Sequence, residues 1–357
     1  MEYKYLSIKK DIIKCINDNI FKSDEKLPSQ LQLQEKYNAS RITIIRVLKE
    51  LEKEEFIYSK PNKKGMFIKS LFENINKYIL VILGDITSHY DSNLLKGIED
   101  QLHINGYKTI ICNSNRNSIK VEEFIQSQDF SSIDGVIYIP AIENKFEKNN
   151  KKILEYFIKN NINYVLIDQN VASINSNIVT TDHKLCSYNI TNIMLNKGLT
   201  KVLIGSGVYC YSIQERIQGI VNAYNINDKK FNYSQIITIN DSNYPIDETH
   251  NSKEFEELKK QLIAFGKIDA FYALNNRILN IFLKAMLSLN IDVSNIKLFL
   301  HNELNKPVDP YTNSICYVDP HLTKMGRESV SLLIDNINKN NDDVFITKII
   351  KSTIHER

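Results

Sequence analysis

Polar side chains stand at the ends of apolar runs throughout residues 78–357, where a ligand pocket in a sheet protein would find them. Asp85 follows YILVILG, Asp168 follows YVLI, Asp182 follows the Ile178-Val179 run, Asn275 and Asn276 follow AFYAL, and Asn302 follows LFLH. Asn113 and Ser114 follow KTIIC in the same way. Tyr90 lies just beyond the first run, and Arg216 opens a helical pattern. Carboxylates accept hydrogen bonds, arginine donates them in a planar fork, and asparagine does both. With an aromatic face such as Tyr90 over the apolar side of a ring, this set suits a sugar or another small polyol. Each residue also has a purely structural use. Loop-end Asp and Asn form turns and cap helices: Asp134 before Gly135 fits a turn, and Asp182 fits a cap for a helix starting near His183 as well as it fits a ligand. For Arg216 the alternative is a structural salt bridge.

A second polar set lies within the first 70 residues: Ser29, Ser40, Arg41, Thr43, Arg46, Lys63, Lys64 and Gly65. It is carried by LPSQLQLQEKYNASRITIIRVLKEL, residues 27–51, whose pattern predicts two short helices joined by a tight turn. Ser29 is a good N-cap with Gln32 three residues on, as in a capping box. Tyr37-Asn38-Ala39 break the pattern and Ser40 caps the second helix, which buries Ile44, Val47, Leu48 and Leu51. Arg41 and Thr43 then occupy its first turn and Arg46 the next, where a recognition helix reaches base edges. Upstream, Ile8, Ile12, Ile16 and Ile20 form an i, i+4 stripe for a preceding helix. Downstream, Phe56-Ile57-Tyr58, a lysine-rich tip over 60–65 and Met66-Phe67-Ile68 predict strand, turn, strand. The sum is a winged helix-turn-helix. Three small helices that merely pack would show the same periodicity, but the charge is lopsided. Residues 1–70 hold 15 Lys and Arg against 10 Asp and Glu, and the remainder 30 against 32. Positive charge gathered in the small domain suits contact with DNA phosphates.

This stretch resembles the GntR superfamily of bacterial transcription regulators, whose signature runs LPS-E, an apolar residue, SR-x-T-V, A-L-x-x-L and G-x-G-T-F-V. Here it stands as LPSQ, Leu33, SRITI, VLKEL and KKGMFI. The resemblance covers residues 3–69 and implies double-stranded operator DNA as partner. One position often basic in the family's recognition helix is Ile45 here, with Arg46 beside it.

SLFENINK, residues 70–77, reads as a linker. Beyond it, apolar runs at 78–83, 107–112, 136–139, 164–167, 202–204, 236–239, 270–273 and 297–300 alternate with amphipathic helical patterns. Continuous apolar strands between helices predict α/β architecture with parallel sheets covered on both faces. The stretch is too long for one core, so two lobes are expected, with ligands in the cleft beyond the strands' carboxyl ends.

Residues 78–357 resemble the effector domain of the lac-repressor family, which shares its fold with periplasmic sugar-binding proteins. GDITSHYDSNLLKGIEDQLHINGY, SSIDGVIYIP, NYVLIDQN, ERIQG and DAFYALNN match that family's segments in order and spacing. The resemblance implies effector contact by Arg216, the arginine of ERIQG. The chain departs from the pattern at Asn275-Asn276, where the family has N-D, at Leu300-His301-Asn302 for G-F-D, and at Gln169 for the arginine of I-D-R. The expected layout is a DNA-binding domain at 1–69, a linker at 70–77 and a two-lobed effector and dimerisation domain at 78–357. A winged helix of the first type on this second domain resembles arabinose-responsive repressors of Gram-positive bacteria.

Other chemistries lack their residues. The Gly205–Gly207 GSG has no third glycine, Cys210 standing there instead. The chain has no G-x-x-x-x-G-K-S/T loop, G-x-S-x-G elbow or H-E-x-x-H. Seven histidines and five cysteines (Cys15, Cys112, Cys186, Cys210 and Cys316) are scattered without metal-ligand spacing. Neither catalysis, a cofactor nor a metal is expected. No apolar run of membrane-spanning length and no signal-peptide core occurs, so a cytoplasmic protein with reduced thiols is expected. The expectation is a cytoplasmic homodimeric regulator, a repressor released from operator DNA by a small polar effector, with no membrane partner. The rival is a DNA-binding protein whose second domain serves only dimerisation or a protein partner; a cleft filled by its own side chains would favour that rival.

Overall fold

A computed structural model describes residues 4–356 except 18–19, 23, 55, 61–62, 64, 70–77, 240–252, 305–314 and 339–343. The chain divides into two compact units, residues 1–77 with 103–108 and residues 78–102 with 109–357. The expected linker at 70–77 lies outside the described residues.

In the first unit, α1 (Lys4–Asn17), α2 (Gln30–Tyr37) and α3 (Arg41–Lys53) precede a two-stranded antiparallel wing, β1 (Ile57–Ser59) with β2 (Met66–Ile68), in register Ile57 to Ile68. Ile8, Ile12 and Ile16 of α1 bury against Leu33, Ile44, Val47, Leu48 and Leu51. The fourth member of the isoleucine stripe departs from expectation. Ile20 is exposed, because the chain leaves the helix: the amides of Ile20 and Phe21 both bond the Cys15 carbonyl, and Phe21 packs on the core instead. Ser29 closes a full capping box with Gln32, Asn38 ends α2 in the left-handed conformation, and the Ser40 Oγ accepts from the Thr43 amide at 3.2 Å. These three residues set the angle between α2 and α3.

The second unit holds two six-stranded sheets. The first contains β3 (Tyr78–Leu83), β4 (Lys108–Asn113), β5 (Ile133–Tyr138), β6 (Tyr164–Ile167), β7 (Ile178–Thr181) and β13 (Thr347–Ile350), ordered β13-β7-β6-β5-β3-β4. The second contains β8 (Val202–Ser206), β9 (Ile236–Thr238), β10 (Ala270–Ala273), β11 (Lys297–Leu300), β12 (Ile315–Asp319) and β14 (Thr353–His355), ordered β14-β12-β11-β10-β8-β9. Helices α4 (His89–Ile104), α5 (Ser118–Ser127), α6 (Phe146–Lys159), α7 (His183–Asn196), α8 (Tyr211–Ile226), α9 (Lys253–Phe265), α10 (Asn276–Ser288) and α11 (Leu322–Asn338) connect the strands. The described pairings of the second unit are parallel except β12 with β14, so the all-parallel expectation fails at that edge: β13 runs parallel to β7 and leaves its sheet at the carboxyl edge, and the two-residue link brings β14 in beside the carboxyl end of β12, running the opposite way. Strand interiors are buried on both faces, as in β3 and β10. The helices approach closely where glycine allows it. A Cβ on Gly97 of α4 would collide with the Thr323 carbonyl of α11, and one on Gly326 with the Leu94 carbonyl of α4.

Candidate functional site

In the first unit the second helix of the pair presents its polar start outward. Arg41 and Arg46 are exposed; Thr43 is half-buried with its Oγ1 2.8 Å from the Ser40 Oγ. The Arg46 guanidinium lies 3.8 Å from the Tyr5 ring centroid and 3.6 Å from Glu50, so it is held along the helix rather than thrown forward. Lys63 is exposed in the wing, whereas Lys64 lies outside the described residues. Lys60 turns back to Asp24 at 2.7 Å. Gly65 has φ +113°, and a Cβ there would meet the Lys26 side chain at 2.5 Å, which explains glycine at the end of the tip. Ser29 and Ser40 hold the helix starts.

In the second unit a buried polar cluster joins the carboxyl ends of the two sheets. Asp168, following β6 with φ 65°, accepts from His183 Nε2 at 2.9 Å and from Gln169 Nε2 at 2.8 Å. Arg216 of α8 donates toward His183 Nδ1 from Nε (3.4 Å) and Nη2 (3.3 Å), and from Nη1 to the Leu274 carbonyl. Arginine only donates, so Nδ1 accepts and Nε2 carries the hydrogen given to Asp168. Burial alone would raise the Asp168 carboxyl; the adjoining His183 and Arg216 outweigh it and hold the group at about 2. Gln169 spans the sheets: its Nε2 also donates to the Ser212 Oγ at 2.8 Å and its Oε1 accepts from the Ser212 amide at 3.1 Å. Behind Arg216, Ser187, Tyr272 and His301 form a triangle, with the Tyr272 hydroxyl 2.7 Å and the Ser187 Oγ 3.0 Å from His301 Nδ1. Burial, then the charge of Arg216, pushes the His301 imidazole well below its usual range. The Tyr90 hydroxyl faces this cluster, buried without a well-formed hydrogen bond; burial and then the Asp168 charge hold it protonated.

Three of the ten residues singled out in the sequence thus converge: Tyr90, Asp168 and Arg216; Asn113 is exposed and the Ser114 Oγ donates to the Leu83 carbonyl at 2.8 Å. Asp85 sits in an adjoining buried group in which its amide donates to Asp91 Oδ2 at 2.6 Å and its Oδ1 accepts from Thr87. Asp182 caps α7 through the Leu185 amide, and Asn275 caps α10 through the Ile278 amide. Asn276 donates to the Glu303 carbonyl at 2.9 Å, and Asn302 is half-buried beside His301. At the rim, His89 of α4 lies 3.4 Å from Glu303, another bridge between the halves. Gln169 and His301 were noted only as departures from the family pattern, and His183, Ser187, Ser212 and Tyr272 were not singled out. His183 and His301 carry the signal used for the others, a polar residue just after an apolar strand; Tyr272 and Ser187 read as core. A separate open hollow of about 530 Å³ is lined by Glu143, Lys145, Phe146, Val208, Tyr209 and Thr238 among others, and none of the ten residues borders it. Among the described residues no cluster of His, Cys, Asp and Glu could hold a metal, and no helix is long and apolar enough to cross a membrane.

The family model described as "Bacterial regulatory proteins, gntR family" matches residues 4–68. The arabinose metabolism transcriptional repressor of Geobacillus stearothermophilus is 24% identical over 204 residues, 56% of this chain and 55% of the relative. The chain spans about half the length of the curated relatives it matches. Among solved structures, the transcription regulator CcpA of Lactococcus lactis aligns over 79% of this chain and 98% of its own, with TM-score 0.64 and 20% identity. A transcriptional regulator CelR–cellobiose complex aligns over 88% of this chain and 89% of its own, with TM-score 0.63 and 13% identity. At these identities the likeness establishes the fold. Residues 4–68 are a winged helix-turn-helix of the GntR family, and the chain joins it to a two-lobed α/β domain with the fold of LacI-type regulators.

Proposed function

We propose that this chain is a cytoplasmic bacterial transcription regulator, acting as a repressor, that binds operator DNA as a homodimer through its winged helix and is released by a small polar effector, a sugar. The domains divide at the 70–77 linker, and the protein has no catalytic activity. The observation that carries the reading is the coupling of a GntR-type head, with Arg41 exposed in the first turn of α3, to a two-lobed domain whose buried polar cluster lies between the carboxyl ends of its sheets. The relative's name, an arabinose metabolism repressor, and the cellobiose in the CelR complex support a sugar as effector. Tyr90, Asp168, Arg216, Asn302 and Gln169 are the side chains we assign to it. Because Asp168, Gln169 and Ser212 already bond one another, an effector acts by exchange: its hydroxyls replace these bonds and reset the angle between the lobes. The linked operator then weakens effector binding by the same factor.

The same self-pairing favours a second reading, in which the cleft is filled and the domain serves dimerisation alone. Duplexes selected from a random pool by the full chain, followed by thermal shift and DNA release against a panel including arabinose, ribose and cellobiose, separate the two. The first reading expects DNA retention, and at a hundredfold excess over the dissociation constant about 2.7 kcal/mol of added stability from an active sugar. DNA selection with no shift from any sugar supports the second, and failure to select any duplex overturns both.

A further inference from the structure

The outer face of α3 is not uniformly polar. Ile44, Val47, Leu48 and Leu51 are the buried face of this helix. At 3.6 residues per turn, the opposite face comprises Ile42, Arg46, Lys49 and Lys53. Arg46, Lys49 and Lys53 are all exposed, and Ile42 is 81% exposed, the largest value among the big apolar side chains of the described residues. Nothing in the head's stability asks for isoleucine there. It adds no core contact, and a β-branched side chain in the first turn is a weaker helix former than Ala or Lys. An apolar side chain leading a row of three cations, next to Arg41, is complementary to the major groove of DNA. There phosphates attract the cations and the thymine 5-methyl is the apolar feature among polar base edges.

We infer that Ile42 reads sequence by packing on a thymine methyl adjacent to the base contacted by Arg41. The inference rests on the proposal that the head binds DNA, and it adds a base identity that the polar residues of α3 do not supply. Ile42 would discriminate thymine from cytosine and from uracil at one position in each half-site, with no hydrogen bond involved.

The test uses the full chain. Duplexes are selected from a random pool by wild type, and each thymine in the selected site is replaced singly by deoxyuridine, which removes only the methyl group. The expected result is one position per half-site at which the replacement weakens wild-type binding about fourfold, the worth of one buried methyl. With Ile42→Ala, which keeps the helix and removes an exposed side chain, the same replacement leaves affinity unchanged while the other positions respond as in wild type. Equal deoxyuridine effects in wild type and Ile42→Ala at every thymine overturn the inference while leaving DNA binding intact. Selection that yields no preferred sequence from wild type overturns the DNA-binding reading itself, and the inference with it.

Discussion

Arg216 shows how a ligand-facing residue and a structural one coincide. Only 5% exposed, it donates to His183 and to the Leu274 carbonyl and helps hold Asp168 ionised. Arg216→Ala would leave the carbonyl and the His183 nitrogen buried without their donor, so it should lower stability by about 2–4 kcal/mol and abolish the effector response. Urea unfolding and operator release measure the two losses; full stability with release at wild-type effector concentrations would exclude both roles. Asp91 makes the opposite electrostatic point. Burial pushes its carboxyl up to about 6, against the pull of Arg116 and of its bonds from the Asp85 amide and Ser88. The unfolded chain releases this proton near pH 4 and the folded one near pH 6, so Asp91 erodes stability as pH rises through that window, by about 2–3 kcal/mol in all. Asp91→Asn keeps an oxygen acceptor and cannot ionise. Its stability relative to wild type should therefore be higher at pH 7 than at pH 4, and a difference independent of pH would show that Asp91 titrates at its ordinary value. Asp168 works the other way, its contribution being lost only as pH falls from about 4 toward 2.

At the scale of elements, the crossing of α4 and α11 depends on Gly97 and Gly326, each lying against the other helix's backbone. Backbone carbonyls cannot swing aside as a side-chain end can. Gly97→Ala should therefore destabilise the second unit by about 3 kcal/mol or more, despite the better helix propensity of alanine. A thermal melt of the variant matching wild type would mean that the helices have room to separate. Neither glycine was legible in the sequence, because a helical glycine shows its purpose only once its neighbour is known. The strands were legible for the converse reason. YILVIL, YVLI and AFYA are apolar on both faces, which fits a parallel sheet between helices, and the predicted limits of β3, β6, β10 and β11 are those observed. The capping residues Ser29 and Ser40 were legible because a cap is a local bond. The cluster around Asp168 was legible only in part. Its members come from positions 90, 168–169, 183–187, 212–216, 272 and 301, and a strand-end rule finds each carboxylate without saying whether it caps a helix, as Asp182 does, or faces its fellows, as Asp168 does.

For the whole molecule, the proposed mechanism needs two heads on one operator. A single winged helix makes few base contacts, so residues 1–70 alone should bind the selected duplex far more weakly than the full chain, and fluorescence anisotropy compares them directly. Equal affinities would remove the need for a dimer. The path of the chain between the two sheets carries a further consequence, for synthesis. The first sheet is laid down by β3 to β7, then abandoned for β8 to β12, and closed only when β13 returns to lie beside β7. The helices and wing of the head all lie within residues 4–68 and can fold once those residues have left the ribosome. The sheet that follows it waits, with the edge of β7 uncovered, until residue 350 has emerged, more than 160 residues after β7 was made. Through that interval the nascent chain exposes a row of unpaired backbone amides and carbonyls, the kind of edge that other chains pair with. Slow translation through the later strands would prolong that exposure, and holdase chaperones would find their substrate in the half-made protein rather than in the finished one.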